Sequence, residues 1–142
     1  MLTGEFEDAG EHSPDQLRTA YERLVGDVIR EVGVEDVAAE TDLDESTLTA
    51  VRDGESPELT LEDAAAILAL GESYPDAGTL VAEARDILLM GMTTAVMDVD
   101  ALAAKLGGEM EPKLIQQKIE GRYPITLEEY AQLHHAIGEA SP

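Results

Sequence analysis

Cysteine and tryptophan are absent from these 142 residues, and phenylalanine occurs once. Without cysteine there is no disulfide and no thiolate chemistry. Long apolar runs are missing too. The longest weakly polar stretch, Ile87 to Met97, is too short to cross a bilayer. No basic start followed by an apolar core opens the chain, so neither a signal peptide nor a membrane partner is expected, and a cytoplasmic location is. Alternation of period two is absent, which argues against a sheet. Positive charge is scarce: 9 Lys and Arg stand against 31 Asp and Glu.

The net charge of −22 dominates the composition. A surface this acidic repels itself at ordinary salt and destabilises the compact state. At about 1 M salt the Debye length falls to roughly 3 Å, and the repulsion is largely screened. The composition resembles that of proteins from salt-loving archaea, so a halophilic protein is expected. The charge is also uneven. Residues 1–100 hold 25 acids and 5 bases, whereas residues 101–142 hold 6 and 4, including every lysine (Lys105, Lys113, Lys118). That near-neutral segment is a place to look for a contact surface.

Hydrophobic residues make up 44% of the chain and recur with helical spacing. Residues 1–12 read as a flexible tail. Ser13, Pro14 and Gln16 then open a helix with an apolar stripe through Leu17, Tyr21, Leu24, Val25, Val28, Ile29 and Val32, ended by Gly33. A short helix through Val37 follows. Asp44 caps a third helix that stops at Gly54, and Thr60 caps a fourth. After a turn-rich linker, Gly71 to Gly78, the order repeats. A long helix runs from Thr79 to about Met97. Two short helices follow, and a capping box of Thr126 and Glu129 opens the last one. The phrase around "LTLEDAAAIL" returns as "ITLEEYAQL". The expected fold is all-α, with two similar four-helix, helix-turn-helix-like repeats packed together, over residues 13–72 and 73–142.

Val37-Ala38, Asp42, Leu43, Gly54 and Thr60-Leu61-Glu62 resemble the pattern of the Cro/λ-repressor-like (Xre) helix-turn-helix family. Leu102-Ala103, Gly107, Met110, Gly121 and Thr126-Leu127-Glu128 repeat it. Asp42 stands where that family has a turn glycine, and the second copy has two extra turn residues. The whole chain is also similar to an uncharacterised haloarchaeal protein family. The helix-turn-helix resemblance implies DNA binding and transcription regulation, with the third helix of a unit in the major groove.

The two third helices differ in what they offer. The first presents Ser46, Thr49 and Asp53 among Asp42, Asp44, Glu45 and Glu55, a surface that repels phosphates. The second presents Lys113, Gln116 and Gln117, with Arg122 just beyond. Glutamine can pair with adenine, and lysine or arginine with guanine or phosphate. The DNA-contacting residues expected are therefore Lys113, Gln116, Gln117 and Arg122, and the partner is double-stranded DNA. The alternative is a protein-interaction or dimerisation module on a degenerate helix-turn-helix scaffold. Nothing in the sequence points to an enzyme: there is no Ser-His-Asp arrangement and no phosphate loop. No cofactor or metal is expected. The adjacent His134 and His135 point about 100° apart on a helix and read as surface or half-buried side chains. Met90, Met92 and Met97 read as core filling.

Overall fold

The computed structural model describes residues 9–140 and is all-α. Ser13 accepts a hydrogen bond from the Gln16 N–H at 3.1 Å, and its own N–H donates to the Gln16 side chain at 2.9 Å. This box starts α1 (Pro14–Val32), and Gly33, at φ 101°, ends it. Then come α2 (Val34–Glu40), α3 (Glu45–Arg52) and α4 (Leu61–Leu68). The Asp44 carboxylate caps α3, and Thr60 and Asp63 form the box that opens α4. The order of long, short, short and capped helix recurs in α5 (Ala77–Ala95), α6 (Val99–Lys105), α7 (Pro112–Ile119) and α8 (Leu127–Ala140).

Two boundaries differ from the sequence reading. α5 begins at Ala77, ahead of Thr79, because the Asp76 carboxylate accepts the Thr79 N–H at 2.9 Å and so caps the helix from further out. Residues 9–12 do not form a loose tail. Ala9–Glu11 is a short 3-10 helix packed on α8, with Ala9 buried. Glycines on both sides make this possible: a Cβ on Gly10 would lie 2.5 Å from the Glu139 backbone nitrogen, and one on Gly138 would lie 2.6 Å from the Gly10 nitrogen. The rest of the tail reading, residues 1–8, falls outside the described residues.

The helices share one continuous core, from Leu17, Tyr21 and Ile29 through Leu61 and Leu68 to Leu88, Leu127 and Leu133. Burying each such side chain contributes roughly 1.5–3 kcal/mol. The packing crosses between the two sets of helices: α1 lies against α8, and α4 against α5. At the first crossing Tyr21 Oη and His134 Nδ1 share a hydrogen bond of 2.6 Å, and Tyr130 meets both rings edge-on. The Tyr130 hydroxyl donates to the Ala84 carbonyl of α5 at 2.8 Å. His134 is therefore buried, not a surface side chain, and burial lowers its pKa to about 4. The same burial raises both tyrosines.

Among the described residues there is no β-strand, but one isolated antiparallel bridge joins Thr60 to Thr126. The Leu61 N–H donates to the Ile125 carbonyl at 2.8 Å, and the Leu127 N–H to the Leu59 carbonyl at 2.9 Å. The two copies of the repeated phrase thus pair with each other at the centre of the molecule.

Candidate interaction face

α7 starts at Pro112, whose fixed φ suits a first turn, and it buries Ile115 and Ile119. With that side down, Lys113 and Gln117 lie opposite it, and Gln116 stands at its edge. Lys113 and Gln116 are exposed and Gln117 is half-buried. Arg122 lies exposed just past the helix end, its backbone N–H donating to the Gln117 carbonyl at 2.8 Å. All four candidate residues thus lie on α7 or the turn that ends it.

Their charge is mostly compensated. Arg122 pairs with Glu120 at 3.2 Å. Lys118 pairs with Glu129 of α8, and Lys105 with Glu139 of α8 at 3.0 Å. Burial opposes ionisation of Glu129, yet its hydrogen bonds from Lys118 and from the Thr126 N–H hold its pKa below the usual range. The hydrogen bond from Lys105 likewise lowers Glu139. Among the described residues, only Lys113 of these four bases has no carboxylate partner. The stretch that is locally basic in sequence is close to neutral in space.

Beside α7 is an apolar groove of about 390 Å³, lined by Leu89, Met92, Asp98, Val99, Gln116, Ile119 and Glu120. Its origin lies in one position of α5. Gly26 stands thirteen residues past the N-cap of α1, and Leu89 stands thirteen past the N-cap of α5. At Gly26 the backbones close up: a Cβ there would be 3.3 Å from the Val51 carbonyl of α3. Leucine at the matching place is too large for such an approach. α1 packs broadly on α3, whereas α5 touches α7 lightly, and the gap is the groove.

Large apolar side chains are also exposed on α5 and just past the ends of α5 and α7. Leu89 and Tyr123 are about half exposed, Met90 is 70% exposed and Val96 is 92% exposed. Met90 is therefore not core filling; Met92 is buried, and Met97 packs half-buried against the core. Val96 also carries strain. It ends α5 with φ 55° and ψ 51°, where α1 has Gly33. A β-branched residue rarely adopts that conformation. Sequence reasoning missed this face because Leu89 and Met90 border the inward stripe of α5. The visible signal was the glycine-to-leucine change between the two long helices.

Among the described residues, no group of three or more His, Cys, Asp or Glu is placed to hold a metal ion, and no single helix is long and apolar enough to cross a membrane.

Residues 17–140 match DUF5791, a family of unknown function, and the chain belongs to that family. No curated protein and no solved structure matches the chain.

Proposed function

We propose that this member of DUF5791 is a halophilic, non-enzymatic interaction module on a degenerate, duplicated helix-turn-helix scaffold, and that it self-associates through the α5/α7 face. The observation that carries this reading is the groove between α5 and α7, together with the exposed Leu89, Met90, Val96 and Tyr123. An apolar groove with exposed apolar side chains on the elements that form it marks an interaction site. A second copy is the occupant favoured by charge. The face is drawn from residues 87–123, a stretch with 5 acids and 4 bases, so two copies can meet there while the far more acidic residues before it keep apart. The groove also carries both signs, with Asp98 and Glu120 in its lining and Arg122 paired with Glu120, which allows opposite-charge contacts across a two-fold axis. Light scattering after size exclusion in multimolar KCl tests this. Wild type should run as a dimer, and Leu89→Lys with Met90→Glu as a folded monomer. A wild-type monomer at every concentration tried would overturn it.

A second reading keeps DNA as the partner and places Lys113, Gln116, Gln117 and Arg122 on the duplex. Its support is the exposed Lys113, which has no carboxylate partner among the described residues, beside two amides that can read base edges. Fluorescence anisotropy with genomic fragments, run at several KCl concentrations, decides it. Gln117→Ala should relax sequence preference by about 1–3 kcal/mol if the amide makes a bidentate contact. Absence of binding at every salt leaves the self-association reading.

A further inference from the structure

On the far side of the repeated phrase, α1 and α3 enclose a second cavity of about 260 Å³, lined by Thr19, Glu22, Arg23, Gly26, Arg30, Val51, Arg52, Gly54 and Ser56. Three arginines around one cavity are unexpected here, because the whole chain has only 9 bases against 31 acids. Seven of those bases are tied to carboxylates in ion pairs. Arg23 is not: it is exposed and has neither a hydrogen bond nor an ion pair among the described residues. In a chain this acidic, a guanidinium with no ion pair among the described residues has its donors open to an outside acceptor.

The neighbouring arginines are held in place. Arg30 donates through Nη1 to the Arg52 carbonyl at 2.8 Å and pairs through Nη2 with Asp27. Arg52 donates through Nε to Asp53 at 3.1 Å, a contact that engages none of its Nη donors. The one carboxylate on the cavity wall is compensated from behind: Glu22 accepts from the Ser56 hydroxyl at 2.7 Å and pairs with Arg18 at 3.3 Å. Gly26 keeps the floor open, since a Cβ there would stand 3.6 Å from Arg30 Nη1.

We propose that this cavity binds a small phosphoryl-bearing anion, with Arg23, Arg30 and Arg52 as its donors and the Thr19 hydroxyl beside them. Guanidinium forks match the oxygens of a phosphoryl group, and such charge-assisted pairs outlast the screening that removes long-range attraction in concentrated salt. A single phosphoryl head offers acceptors to several arginines at once, which a carboxylate with two oxygens does less well. An extended polyanion suits the site poorly, because Asp27 and Asp53 pair with the lining arginines Arg30 and Arg52, and their carboxylates repel a chain of phosphates. The site lies on α1 and α3 and is independent of the self-association assigned to α5 and α7.

The test is calorimetric titration of the full chain with inorganic pyrophosphate at constant multimolar KCl, with duplex DNA as a second arm. Wild type should bind pyrophosphate. Arg23→Gln and Arg52→Gln should each weaken binding about tenfold or more, the loss expected for one charge-assisted hydrogen-bonded contact. Lys113→Gln, on α7 and outside the cavity lining, should leave it unchanged. Arg23 has no hydrogen bond or ion pair to lose among the described residues, so its variant should stay folded and decides the case even if Arg52→Gln does not. No binding of pyrophosphate by wild type, equal binding by Arg23→Gln, or binding of duplex DNA alone would each overturn the proposal.

Discussion

Thr60 and Thr126 lie opposite each other in an antiparallel bridge, each capping the helix that follows it. Each threonine hydroxyl accepts an N–H three residues on, from Asp63 at 3.0 Å and from Glu129 at 3.1 Å. The flanking N–H groups of Leu61 and Leu127 are satisfied only by the other copy of the phrase. A buried backbone donor left without a partner costs about 1–3 kcal/mol.

Separate expression of residues 1–75 and 76–142 should therefore yield chains with little stable helix. Splitting the chain breaks both bridge hydrogen bonds and uncovers α1 where α8 lay and α5 where α4 lay. Circular dichroism and urea titration of each piece check this. Two cooperatively folding fragments would show that the crossed packing is not required.

Helix content should rise with salt. Among the described residues, eight ion pairs made by seven bases cannot offset the chain's 31 carboxylates, and like charges about 4 Å apart cost roughly 1 kcal/mol per pair in water. Circular dichroism from low to multimolar KCl should show the fold appearing. Equal melting temperatures at both ends of that range would contradict a halophilic design.

His134 sets a pH dependence in the acid range. An unfolded histidine titrates near about 6.5, and burial holds His134 at about 4 in the fold. Between those values the unfolded chain binds more protons, so stability is full above about pH 6.5 and falls as pH drops toward 4. The loss approaches about 3 kcal/mol at the lower end. Urea titrations in multimolar KCl, where charge repulsion is screened, should show this slope for wild type and a flatter one for His134→Gln. Superimposable profiles would remove His134 as the cause.

Val96→Gly should stabilise the protein by about 1 kcal/mol, because glycine adopts the left-handed cap of α5 without a Cβ penalty. If Val96 contributes to self-association, the same change should weaken the dimer while it raises the melting temperature. Thermal melts and light scattering on one sample read both effects. A lower melting temperature would mean that the valine is favourably packed despite its backbone.

Helix positions were legible because their signals are local. Ser13 with Gln16, Thr60 with Asp63 and Thr126 with Glu129 all act over three residues, and all form their boxes in the structure. The inward stripe of α1 was readable for the same reason, since a helix repeats its faces every few residues. The doubled phrase was equally plain, although nothing in the sequence said that its copies touch.

What the chain alone determined, then, is its all-α class, its caps, its acidity and the near-neutral stretch beyond residue 100. Only tertiary packing decided which charges remain available. Lys105 meets Glu139 and Lys118 meets Glu129, pairs that tie α8 to α6 and to α7, and no periodicity reveals them. Packing also decided that Leu89 stays exposed while Gly26 lets α1 close on α3. Periodicity shows which side of a helix is apolar. Whether another helix covers that side depends on how closely two backbones can approach, and at these two positions that rests on the volume of one side chain.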